Sequence, residues 1–185
     1  MGSDFARLVS LACHDLRSPL ATVHGFAKTL SRLEDLEPEK VRRYVELISS
    51  ASDELVDLLD LLALAARIED GRYEPVLREA DSLDLARAAV PGATGTGTAV
   101  SVDAEGVERA LAALVHAASR HGGVEPAVAV DGATVVLEPV AGRAAPIVLG
   151  EEQKDLGAAV AVRLLRALGG EVAHEGGRVT VTLAV

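Results

Sequence analysis

Two long apolar stripes, each stepping by four and three residues, constrain this chain more than any other feature. The first runs Val9, Cys13, Leu16, Leu20, Val23, Ala27, Leu30, and the second runs Val41, Val45, Ile48, Ser52, Leu55, Leu59, Leu62, Ala66. A repeat of about 3.5 residues sustained this long is the signature of helices packed along a coiled-coil-like seam. Between the stripes lies a short acidic connection, residues 34–39, with Pro38 suited to the first turn of a helix. Short connections make antiparallel neighbours, so the two helices are expected to form a hairpin. A lone hairpin leaves half of each stripe in water. Two hairpins are therefore expected to pair into a four-helix bundle, making the chain a homodimer.

Composition fits that expectation. Hydrophobic residues make up 49% of the 185 positions but aromatics only 2%, with no Trp, so the cores must be built from Leu, Val and Ala. Such cores favour helices packed side by side over aromatic-rich β-sandwiches. A formal charge of −10 and the lack of any Lys/Arg cluster interleaved with aromatics argue against nucleic acid as a partner. The single cysteine, Cys13, cannot form an intrachain disulfide and reads as a small seam residue in a reducing, cytoplasmic setting. The most apolar stretch, residues 55–66, is broken by Asp57 and Asp60, so neither a membrane span nor a leader peptide is expected.

Beyond Gly71 and Pro75, which mark the end of the second helix, the pattern changes to mixed helix and strand. Residues 72–79 read as a linker or first strand, and residues 81–90 as a short helix capped by Asp81 or Ser82. The Gly/Thr-rich stretch 91–98, with Gly92, Gly95 and Gly97, lacks the strand-then-helix context of a phosphate loop and reads as a mobile linker. A strand over 99–102 precedes a helix capped by Asp103 and running to about His121. Strands 127–130 and 134–137 join through the hairpin-turn pair Asp131-Gly132. A loop with Pro139 and Pro146 leads to a helix over about 151–168, and a final hairpin pairs 171–174 with 179–185. The expected fold class is α+β: a helical hairpin over residues 1–72, then an α/β sandwich over 73–185.

One histidine has a chemical setting. His14 stands next to the seam residue Cys13, so its ring is expected to project from the bundle flank into water, with Ser18 one turn later on the same stripe. An imidazole nitrogen is a competent nucleophile near neutral pH. Asp15 can hydrogen-bond the ring and keep the reacting nitrogen unprotonated. Pro19 removes a helix hydrogen bond just past the histidine. His116 and His121 fall on different sides of one helix with no Cys or carboxylate to complete a metal set, so both read as ordinary helix residues. His24 and His174 have no evident partners.

The run His14-Asp15-Leu16-Arg17-Ser18-Pro19-Leu20 resembles the H-box of sensor histidine kinases at every position, and the end of the second stripe resembles the close of the same dimerisation domain. The resemblance implies that His14 is the phosphoacceptor, with Asp15 and Ser18 assisting catalysis and Arg17 and Pro19 in support. The remainder resembles the family's Bergerat-type ATP-binding domain, with its chemistry eroded. Where the family places two asparagines, the second of which helps hold Mg²⁺ against the nucleotide phosphates, this chain has Ala113 and Ala117. The adenine-reading D-x-G-x-G box is missing. The Gly-rich motif that opens the last helix survives only as Asp155-Leu156-Gly157-Ala158, placing an acid where phosphate would approach.

These losses imply that no nucleotide or metal is tightly bound and that any Mg²⁺ belongs to a partner. The pattern resembles the dimeric histidine phosphotransferases of bacterial two-component phosphorelays, which pass phosphoryl between response-regulator receiver domains. Two other readings stay open: an ATP-dependent sensor histidine kinase with a divergent nucleotide site, and a non-enzymatic pseudokinase scaffold.

Overall fold

The computed structural model describes residues 2–32 and 36–185. The first apolar stripe folds as helix in two pieces, α1 (Gly2–Asp15) and α2 (Arg17–Arg32), with Leu16 between them. The break follows from Pro19, whose ring nitrogen carries no hydrogen for the carbonyl of Asp15. The second stripe is one long helix, α3 (Pro38–Glu69), opening at Pro38. Residues 33–35, within the expected connection, lie outside the described residues. The rings of Phe26 on α2 and Tyr44 on α3, with centroids 5.0 Å apart and planes tilted by 30°, tie the hairpin together.

The single chain leaves much of its apolar stripe in water: Leu20, Val45, Val56 and Leu59 are each more than half exposed. Cys13 is exposed too. Its expected place is on the seam between two hairpins, a face that a single chain leaves open. The residues buried on α1 and α2 are Leu8, Ala12 and Pro19, one position earlier in the register. The apolar face is broad, and the side the chain itself buries lies beside the 9–13–20 line.

Two compact units divide within α3, Met1–Ala63 and Leu64–Val185, where the sequence suggested a division after residue 72. The second unit contains, in order, β1 (Arg78–Asp81), α4 (Ser82–Ala89), β2 (Thr94–Gly97), β3 (Ala99–Val102), α5 (Ala104–Gly122), β4 (Ala127–Gly132), β5 (Thr134–Glu138), α6 (Ala145–Val148), α7 (Leu156–Ala167), β6 (Glu171–Glu175) and β7 (Arg178–Thr182). Strands β1 and β3 form a small antiparallel sheet, and the larger sheet runs β2-β4-β5-β7-β6. Alternation sets its faces. Val128, Val130, Val135, Leu137, Val172, Val179 and Val181 point inward and join Leu85, Leu111, Leu114, Val162 and Leu165 from the helices in one core. The two sheets are stitched by Ser82, fully buried, whose hydroxyl donates to the Gly132 carbonyl at 2.6 Å and accepts from the Thr98 amide at 3.0 Å.

Three local expectations change. The stretch 91–98 contains a real strand: β2 pairs in parallel with β4. It must carry glycine, because a Cβ at Gly95, whose φ is 119°, would collide with the Val130 carbonyl oxygen. The low complexity reflects close backbone approach rather than mobility. The last long helix starts at Leu156 rather than near 151, because Asp155 caps it. The Pro-containing loop before it folds into the short α6, which sequence periodicity is too brief to reveal. Asp81, not Ser82, caps α4, accepting from the Leu83 amide at 2.8 Å.

Asp103 does two jobs. Its Oδ1 caps α5 through the Gly106 amide at 3.2 Å, and its Oδ2 accepts from the Tyr73 hydroxyl at 2.7 Å. Burial first, then this hydrogen bond and the carboxylate's charge, push the Tyr73 phenol well above its ordinary range, against a smaller opposing effect of Arg67. An acid whose native pKa is raised stabilises the fold fully below its unfolded value. That stabilisation is lost as pH climbs from there toward the native value. Urea midpoints should therefore fall for the parent above about pH 10, where an unfolded tyrosine ionises, and fall less for Tyr73→Phe. Parallel alkaline curves for the two proteins would contradict the assignment.

Candidate functional site

His14 lies in the last turn of α1, where the helix macrodipole favours positive charge. Its side chain is 80% exposed, against 29% for Asp15. The ring Nδ1 is 3.1 Å from Asp15 Oδ1. An ionised carboxylate only accepts, so the ring donates from Nδ1, and the lone pair of the neutral imidazole is left on Nε2, facing water. Backbone hydrogen bonds continue through the break, from the Leu16 amide to Ala12 at 2.9 Å and from the Leu20 amide to Leu16 at 3.3 Å. The Asp15 carbonyl loses its partner to Pro19.

Arg17 and Ser18 open α2, both exposed, while Pro19 is buried. Among the described residues, no hydrogen bond joins the Arg17 or Ser18 side chain to His14, and the Ser18 carbonyl accepts from the Thr22 hydroxyl at 3.2 Å. The structure thus joins His14 to Asp15, and sets Arg17 and Ser18 beside them as accessible polar groups. The result is an oriented, solvent-facing imidazole.

The second cluster lies within the α/β unit. Helices α5 and α7 meet through small residues: a Cβ added at Gly157 would stand 3.5 Å from the Ala113 Cβ and 3.3 Å from Asp155 Oδ1. Ala113 is half-buried and Ala117, one turn on, is fully buried. Asp155 is 7% exposed and caps α7, its Oδ1 accepting from the Ala158 amide at 3.0 Å. Its Oδ2 faces His121 Nε2 at 3.2 Å. Reading His121 as an ordinary helix residue missed this pair. The available signal was spacing, since 113, 117 and 121 form an i, i+4, i+8 row on one helix face. Arg143 covers the same end of α5, donating to the His121 carbonyl at 3.1 Å and the Gly122 carbonyl at 2.9 Å. His116 and His24 are exposed. His174 lies on β6 with a buried Nε2 that has no hydrogen-bond partner. Among the described residues, no group of acids, His and Cys is placed to hold a metal.

The architecture is a helical hairpin presenting an oriented histidine, followed by an α/β sheet unit. Comparison agrees: residues 6–71 match the His Kinase A (phospho-acceptor) domain. A probable sensor histidine kinase of Mycobacterium tuberculosis, TcrY, is 33% identical over 84 residues, which cover 45% of this chain and 17% of that protein. The matched stretch is therefore a small part of the curated relative. Among solved structures, the Acinetobacter baumannii histidine kinase AdeS superposes with a TM-score of 0.64 at 17% identity, covering 92% of this chain and 97% of that one. Full-length ShkA, solved in complex with AMPPNP, superposes with a TM-score of 0.51 at 24% identity, covering 96% of this chain and 44% of that one. These likenesses concern the fold. The N-terminal stretch, residues 6–71, is thus similar to a HisKA domain, and the chain as a whole resembles histidine kinases in fold. HisKA domains dimerise, and histidine kinases act with response regulators.

The packing at Ala117 sets a limit on repair. Replacing it by asparagine would press an amide into a filled space with no partner, so Ala117→Asn should cost about 3 kcal/mol, read by urea denaturation. A variant as stable as the parent would mean that the α5 surface is open there.

Proposed function

We propose that this chain is a phosphorelay histidine phosphotransferase that works without ATP. The observation that carries the reading is the junction of α5 and α7. Where nucleotide phosphates and Mg²⁺ would need oxygen ligands and free helix amides, the chain places the Ala113 and Ala117 methyl groups, and the Asp155 carboxylate already takes the Ala158 amide. The residues present do not fit a nucleotide. His14 keeps everything a phosphoryl acceptor requires.

In the proposed step, His14 Nε2 attacks the phosphorus of a phospho-aspartate on a receiver domain. The N–P bond forms as the P–O bond to the aspartate breaks, and the carboxylate leaves with its electron pair. Asp15, holding Nδ1–H, offsets the positive charge that develops on the ring. Reversal onto a second receiver completes the relay. Mg²⁺ and the acidic pocket belong to the receiver. Arg17 is placed to steady phosphoryl charge, and Ser18 to orient a hydrolytic water in a phosphatase side reaction. The exposed Leu20, Val45, Val56 and Leu59 support a homodimeric four-helix bundle. No helix among the described residues is long and apolar enough to cross a membrane, and a cytoplasmic location belongs to the same proposal.

The ATP-dependent alternative is favoured by the naming of the relatives as kinases and by the nucleotide analogue bound to ShkA. One paired experiment separates the two. Radiolabelled ATP is offered in one tube and a phosphorylated receiver domain in the other. Label should arrive only from the receiver and disappear with His14→Gln, and Asp15→Asn should slow transfer by about tenfold to a hundredfold. Label from ATP would make the chain a working kinase, and label from neither would leave a scaffold.

For the dimer, Leu59→Glu should shift the protein to monomer in sedimentation or light scattering. An unchanged mass would place the interface elsewhere.

A further inference from the structure

We infer that two charged rows on the helical hairpin choose its dimer partner: the basic row on α2 of one copy lies along the acidic row on α3 of a second copy of this same chain, with both hairpin tips at one end. The inference rests on the homodimer of the proposed function, and adds what sets its register and turns other partners away.

The rows are visible in the residues. Helix α2 carries Arg17, His24, Lys28 and Arg32 and no acid at all, in a chain of net charge −10. At 3.6 residues per turn these four fall within about 80° of arc, and all are exposed. On α3 the acids Glu39, Glu46, Asp53 and Asp60 recur at every seventh position, so each lies only about 20° round from the last. They are exposed as well. Both rows run beside apolar residues that the chain leaves in water, Leu20 on α2 and Val45, Val56 and Leu59 on α3.

The contact of Phe26 with Tyr44 fixes which residues stand level. Counting away from it in opposite directions, Arg17 and Asp53 are each nine residues off, and His24 and Glu46 each two. Arg32 and Glu39 are six and five residues off at the other end. A basic residue is level with an acid each time. Yet the rows do not meet within one chain. Among the described residues, the ion pairs of the hairpin are the local Asp4–Arg7, His14–Asp15, Glu37–Lys40 and Glu39–Arg42.

A two-fold axis along the bundle keeps those levels and sets α2 of each hairpin beside α3 of the other, so both flanks match. The alternative face-to-face dimer, with tips at opposite ends, stacks α2 on α2 and α3 on α3, like charge on like. Exposed ion pairs are individually weak. The rows therefore contribute register and choice of partner, while the apolar face supplies affinity.

The test uses two full-length variants, Lys28→Glu with Arg32→Glu, and Glu39→Lys with Glu46→Lys. Both leave His14, Asp15, Arg17 and Ser18 untouched. Each variant alone should have a dimer dissociation constant about tenfold above the parent's in sedimentation equilibrium. Mixed in equal amounts, the two should regain the parent's value, because both flanks of the mixed dimer match. Differently tagged copies should then be recovered almost wholly as mixed pairs, and about 1 M sodium chloride should abolish that preference.

Variants that pair with themselves as tightly as the parent, or a mixture that pairs at random, would overturn the inference and leave the homodimer standing. A monomeric parent would overturn both. If Lys28→Glu with Arg32→Glu loses phosphoryl transfer from a receiver domain while its self-association is unchanged, the α2 row belongs to the receiver and the inference fails.

Discussion

The close contact of α5 with α7 is what the rest of the α/β unit is arranged around. Small residues let the two helices meet: a Cβ added at Gly157 on α7 would stand 3.5 Å from the Ala113 Cβ on α5, and one at Gly106 on α5 would stand 3.3 Å from Leu164 Cδ2 on α7. A chain with two phenylalanines and two tyrosines cannot fill wide gaps with rings. It gains contact density by shrinking the gap instead. The sheet, its valines turned inward, then needs only a thin layer of leucine to meet the helices. The same tightness leaves no room beside Ala117 for a polar side chain.

The helical unit answers a different constraint. Its stripe is wider than the face the chain itself buries. The residues buried by the chain, Leu8, Ala12 and Pro19, run beside those that stay wet. His14 sits next to both lines, at a point where Pro19 has taken one hydrogen bond from the backbone. That arrangement holds the ring away from the packing while Asp15 fixes which nitrogen faces water.

Most of this was legible in the residues. Heptad-like spacing gave both long helices, Asp103 framed its element, and Asp131-Gly132 marked its turn. The H-box placed His14 beside Asp15, and the structure finds them 3.1 Å apart. What stayed hidden depends on contacts distant in sequence. Strand β2 is a strand because Gly95 can lie against Val130, 35 residues later, and nothing local in a Gly/Thr run announces that. The break at Leu16 is local, yet periodicity averages over it. Asp155 was recognised as an acid in the wrong place, but its meeting with His121 required knowing how two helices turn toward each other.

The distribution of the rings has an optical consequence. Phe5, Phe26 and Tyr44 all fall in the helical unit, so Tyr73 is the only aromatic residue of Leu64–Val185. With no tryptophan in the chain, ultraviolet emission comes from two tyrosines alone, one beside Phe26 and one bonded to a carboxylate. Each unit carries its own native reporter. With Tyr44→Phe the emission reports on the sheet unit and with Tyr73→Phe on the bundle, without attaching a dye.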